Sequence, residues 1–172
     1  MTRKFLFCFP LRVGNLVFGY VVILIAIAVV AYHIFDILNY FIGGRQPENR
    51  KWGEVSGYNS KEVSLMITMV YDLVYITLGF LLLFFAMLFV SGVHKSVHCL
   101  VKSFYVYSFI HLVLTLALVV WEGFTFGWIH FGLLLLADGL YILCLFGVKN
   151  LLEAIRRGYI YSTPGEEKNW LQ

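Results

Sequence analysis

The 172-residue sequence predicts an all-α membrane protein, a four-transmembrane-helix bundle with its N- and C-termini cytoplasmic. Three observations carry this. Hydrophobic residues make up 60% of the chain and charged residues only 13%, too few charges to build a surface that faces water. Four stretches with almost no charge are each as long as the roughly 20 residues that cross about 30 Å of hydrocarbon. Lysine and arginine are distributed unequally between the two sides that such a threading creates. That composition and those spans exclude soluble enzymes, nucleic-acid readers and disordered regulators, and the net charge of +3 is too small and dispersed for DNA binding.

The first uncharged run covers 13–35 and stays apolar past Asp36 to Ile42, giving a span of about 14–41. The second, 63–93, is interrupted by Asp72. The third is 103–121, and the fourth, 126–148, is broken only by Asp138. Residues 1–172 thus form a single four-span membrane domain that ends in a short cytoplasmic tail, 149–172. Helices are the spanning form, since lipid offers no partner to a backbone amide and the runs lack the alternation of a barrel strand. Arg3, Lys4 and Arg12 with Ala26-Ile27-Ala28 resemble a signal peptide in outline. The apolar run continues well beyond Ala28, so a retained anchor is expected.

Orientation follows from the basic residues. Arg3, Lys4, Arg12, Lys95, Lys102, Lys149, Arg156, Arg157 and Lys168 fall on one side, against Arg45, Arg50, Lys51 and Lys61 on the other. Both termini are therefore expected inside. The link 121–128 is short enough to make the third and fourth spans an antiparallel hairpin, with Trp121 and Trp128 at the outer headgroup level. The outer loop 43–62 is punctuated by Gly43, Gly44, Pro47 and Gly57 and carries no glycosylation sequon. Residues 151–157 read as a helical continuation at the inner interface, with Glu153, Arg156 and Arg157 touching anionic lipid.

No cysteine lies in an outer loop, so a disulfide in an oxidising compartment is not expected. Cys8 and Cys99 sit at the inner membrane edge and are candidates for palmitoylation; plain reduced thiols are the simpler reading. His94, His98 and Cys99 share a turn but make a poor metal site beside Lys95. The sequence lacks a P-loop, a nucleophile elbow, a zincin motif and paired metal cysteines. No catalytic residue, cofactor or metal is expected.

Polar residues inside the bilayer are the most informative, because they are costly there and usually face the bundle interior. At helical spacing they form one stripe per span. These are Asn15, Gly19, Ala26, His33 and Asp36; then Ser64, Thr68, Asp72, Tyr75 and Gly79; then Ser108, His111, Thr115 and Glu122; then His130, Asp138 and Tyr141. Gly132 and Gly139, seven apart, offer a second helix a close approach beside the last stripe. The intramembrane cluster is thus His33, Asp36, Asp72, His111, Glu122, His130 and Asp138, concentrated in the outer half. Two roles are open to it. One is structural, hydrogen bonds across helices that fix their packing. The other is a proton or cation path, since no Lys or Arg lies within the spans to neutralise the acids. The structural role is the expected one, four short helices leaving little room for a cavity.

The segment Cys8-Phe9-Pro10-Leu11-Arg12-Val13-Gly14, followed by an apolar run with Gly19, resembles the start of the first span in small insect four-span membrane proteins. The Pasiflora proteins of epithelial septate junctions are of that type. A looser version of the Arg-x-Gly pattern is similar to the lysosome-associated four-span transmembrane family. The resemblance covers about the first 20 residues and, beyond them, the layout of the spans. It implies a non-enzymatic role in junction assembly or membrane organisation and brings no catalytic residue. The tail, with Tyr159-Ile160-Tyr161-Ser162-Thr163-Pro164, lacks the Pro-Pro-x-Tyr sorting motif of the lysosomal relatives. The expected partners are therefore the lipid bilayer, other membrane proteins met laterally and a second copy in a homo-oligomer, and no nucleic acid. The expected location is the plasma membrane or a cell junction, with the endolysosomal membrane as the alternative. The alternative function is a small transporter, or an auxiliary subunit of an ion pump or transporter, working through the intramembrane acids.

Overall fold

The structure, a computed structural model, describes residues 4–5, 9–43, 61–124 and 128–156, without the side chains of 4, 5, 9, 61–65, 122, 129 and 130. Residues 44–60 of the first connection, the tail beyond Arg156 and Cys8 lie outside the described residues. So do the side chains of Ser64, Glu122 and His130.

Four helices make up nearly all of it. They are α1 (Leu11–Gly43), α2 (Lys61–Lys95), α3 (His98–Phe124) and α4 (Trp128–Arg156). All four are long and apolar enough to span a membrane. A short antiparallel pairing of β1 (Lys4–Phe5) with β2 (Phe9–Pro10) precedes α1. Hydropathy gave no sign of it, because two residues are too few to show a period. Pro10 directly before α1 suits a helix start, where its missing amide hydrogen costs nothing.

The helices outrun the apolar stretches. α3 begins at His98 and includes Lys102, and α4 continues through Lys149 and Glu153 to Arg156. Backbone hydrogen bonding does not stop where apolarity stops, and a Lys stem reaches the interface by snorkelling. At 1.5 Å per residue, 27 to 35 residues extend about 40–52 Å, through the hydrocarbon and into the headgroups.

Each helix packs on its neighbours in the chain, most extensively α1 on α2, and α4 closes the ring on α1. The bundle has a proximal end, where α1 begins, α2 turns into α3 and α4 finishes. At the proximal turn the Val97 amide donates to the Gly92 carbonyl (2.9 Å) and Ser96 takes the left-handed conformation, φ 53°. A Cβ on Gly92 would come within 2.8 Å of Leu100 Cβ and 3.1 Å of the Val101 amide nitrogen. Only glycine lets α2 and α3 converge there. Arg12 Nη2 then donates to the His94 carbonyl at 2.8 Å, fastening the start of α1 to the end of α2.

The buried core belongs to the proximal half. Phe18, Val22 and Ala26 of α1 meet Ala86, Phe89 and Val93 of α2, Val101 and Phe104 of α3, and Leu145 and Val148 of α4. Phe89 stacks on Phe104 (4.4 Å between centroids) and Phe85 on Tyr107 (4.2 Å), while Phe18 sets its edge to both Phe89 and Phe104. Lipid tails are as apolar as leucine, so dispersion from such close packing, rather than removal from water, holds helices together in a bilayer. Towards the distal end the large apolar residues turn outward. Phe41 is 72% exposed, Met66 70% and Phe124 70%.

Candidate functional site

The sequence places one polar stripe on each helix; the fold joins the stripes in two pairs. The first pair is α1 with α2. His33 and Asp72 are buried, and His33 Nδ1 shares a 2.9 Å hydrogen bond with Asp72 Oδ1. The two side chains are 8% and 1% exposed, so the bond has no competition from solvent. Aromatic rings surround the imidazole. Tyr75 stacks on it at 4.6 Å, and Tyr32 and Tyr71 meet it edge-on at 5.2 and 6.1 Å. Asp72 Oδ2 is buried with no hydrogen-bond partner among the described residues. Asp36, three residues beyond His33, is half-buried.

Helices come close enough for this bond because their small residues face inward. A Cβ on Gly79 would lie 2.6 Å from Val30 Cγ2, and one on Gly19 would lie 2.6 Å from Val90 Cγ2 and 3.0 Å from Phe89 Cδ1.

The second pair is α3 with α4. Ser108 Oγ gives its one hydrogen to the Phe104 carbonyl (2.8 Å), so the Tyr141 hydroxyl donates to Ser108 Oγ (2.9 Å). Two turns further along α3, Thr115 Oγ1 lies 3.0 Å from both the Leu112 carbonyl and Asp138 Oδ1. Half-buried His111 fills the interval, 3.4 Å from the Tyr107 hydroxyl and with its ring 6.0 Å from that of Tyr141. Asp138 Oδ2, like Asp72 Oδ2, is buried without a partner. From Ser108 to Thr115 this polar ladder climbs about 10 Å.

At the foot of the ladder, Tyr141 leans on Phe18 (5.9 Å) and the aromatic cluster closes the interior. Beneath that, buried Asn15 donates to the Leu11 carbonyl (2.7 Å) and to Gly147 of α4 (3.4 Å). Asn15 stands in the predicted stripe of α1, but its partner is a backbone carbonyl 132 positions away, which no side-chain pattern announces. The Arg12–His94 bond and the 3.3 Å contact of the Tyr20 hydroxyl with His94 Nε2 were equally invisible in the sequence.

In the distal half α2 and α3 part, leaving a lateral groove of about 520 Å³. Met66, Val70, Tyr71 and Val74 form one wall, Ala117, Leu118 and Trp121 the other. Tyr71 serves both sites, lining the groove with one side and meeting His33 with the other. Outside their own helix backbone, no described atom lies within 4 Å of where a Cβ on Gly132 or Gly139 would stand, so no described helix uses the close approach expected there. Both are exposed, as are Leu136 and Leu140 beside them. Among the described residues no group of three or more His, Cys, Asp or Glu gathers to hold a metal. Cys99 is exposed and Cys144 half-buried, both as free thiols.

No family model, curated protein or solved structure matches the chain.

Proposed function

We propose that this integral membrane protein is a non-enzymatic component of membrane organisation. It works by lateral contact with other membrane proteins or with further copies of itself, at cell contacts in the plasma membrane. The observation that carries the reading is the unfilled distal half. The groove between α2 and α3, and the α4 face at Gly132 and Gly139, are shaped for close packing that the described residues do not supply. The polar side chains support it as well. His33–Asp72, Ser108–Tyr141 and Thr115–Asp138 each tie one helix to the next, the work of structural hydrogen bonds. The placement at cell contacts rests on the resemblance of residues 8–14 to the septate-junction type. The termini face the cytoplasm in this reading, with the proximal end inside.

A second reading has its own observation. Among the described residues Asp72 Oδ2 and Asp138 Oδ2 are buried acceptors without donors, and an intramembrane carboxylate in that state is suited to taking up a proton or a small cation. The protein would then be a small transporter or the auxiliary subunit of one. Flux in reconstituted vesicles, measured beside partner co-purification from an epithelium, separates the two. Retained partners and no flux for both the native chain and Asp72→Asn support the lateral-contact reading. A pH- or cation-dependent flux that Asp72→Asn abolishes overturns it.

A further inference from the structure

The proximal end of the bundle carries charge of nearly one sign. Arg12, Lys95, Lys102, Lys149 and Arg156 all belong to the proximal end, at least one from every helix. Among the described residues the only acid there is Glu153. The sequence of the distal connection carries both signs, Arg45, Arg50, Lys51 and Lys61 with Glu48, Glu54 and Glu62. The helix dipoles do not offset this proximal charge. Two N-termini and two C-termini meet at the proximal end, and their partial charges of opposite sign largely cancel. The side chains set the field.

We propose that the proximal end is a binding belt for anionic phospholipid headgroups of the leaflet it faces. Lys95, Lys102, Lys149 and Arg156 are exposed, so their charges are available to a ligand. Lys102 and Lys149 lie one to two turns inside their helix ends, the depth from which a lysine stem rises along the helix to a headgroup phosphate. Arg12 is fixed in place. One of its nitrogens is bound to the His94 carbonyl, and a guanidinium with five N–H donors keeps others for a phosphate oxygen. The packed aromatic core beneath holds the four helices at fixed spacing, so the belt is a shaped set of cations rather than a mobile tail. The inference is independent of any lateral protein partner, since lipid binding is read from the isolated chain.

The experiment uses the full chain purified from vesicles of phosphatidylcholine mixed with phosphatidylserine and a phosphoinositide, with the retained lipid weighed by native mass spectrometry. Anionic lipid should be enriched over phosphatidylcholine. The triple variant Lys95→Gln, Lys102→Gln, Lys149→Gln should lower that enrichment by about 100-fold, about five-fold for each cation. The matching Lys→Arg triple should retain it. Raising the salt on the native chain supplies a measurement that needs no variant, and should weaken retention by screening. Equal retention of phosphatidylcholine, or enrichment untouched by both the Gln triple and salt, overturns the proposal. So does a soluble inositol phosphate that binds as tightly as the lipid, which would make the ligand a free phosphate.

Discussion

The proximal and distal halves of this bundle are built from the same apolar alphabet and reach opposite results. In the proximal half Gly19 and Gly92 bring backbones together, and Phe18, Phe89 and Phe104 fill what remains. In the distal half Gly132 and Gly139 meet no other helix among the described residues, and α2 and α3 separate around a groove of about 520 Å³. The polar residues follow the same division. Proximally, Asn15 and Arg12 bond backbone carbonyls of other helices and seal an end. Distally, His33–Asp72 and Thr115–Asp138 bond side chain to side chain, each within one helix pair. The difference teaches that hydrophobicity does not decide packing inside a bilayer. Residue size and shape at each contact do.

The comparison can be broken most decisively at Phe89. Truncation to Ala should cost about 3–5 kcal/mol in an unfolding titration in mixed detergent, while Phe41→Ala, at a distal side chain 72% exposed, should change little. Equal costs at the two sites would erase the distinction between the halves.

Glycine gives the next test. Gly92→Ala should lose about 1–3 kcal/mol, because Leu100 Cβ and the Val101 backbone cannot both move away from the added methyl. The same change at Gly132 or Gly139 should leave stability intact, with the small gain of a better helix former. Gly132→Leu with Gly139→Leu should also leave the monomer folded, yet remove lateral complexes seen by chemical cross-linking.

A double-mutant cycle sharpens the division into two polar pairs. His33→Ala with Asp72→Asn, and Thr115→Val with Asp138→Asn, should each show coupling of about 0.6–1.7 kcal/mol. Asp72→Asn with Asp138→Asn should be additive. Coupling between the two acids would mean one shared network through the distal interior.

The smallest effect is expected at the proximal turn. Ser96→Gly relieves a left-handed backbone that a side chain disfavours, and the greater freedom of glycine in the unfolded chain offsets part of the gain. A net stabilisation of about 0.5 kcal/mol in the same titration is the expected reading.

The sequence by itself determined the number of spans and much of the inward face of each helix. Asn15, Gly19, Ala26 and His33 recur at intervals that return to one side of an α-helix, and all four are buried. A charge or a glycine in hydrocarbon is conspicuous against leucine and valine, so those positions can be read directly. Which stripe meets which was decided only by the tertiary structure. Asp72 could have faced Asp138 or His111, and it faces His33 because α1 and α2 approach closely through Gly79 and Val30. The outward rotation of Phe80 and the inward rotation of Phe89 were equally beyond the sequence, for the two are alike in hydrophobicity and differ only in what lies opposite. Water sorts polar from apolar before a chain packs; lipid does not, so the choice among apolar faces waits for shape.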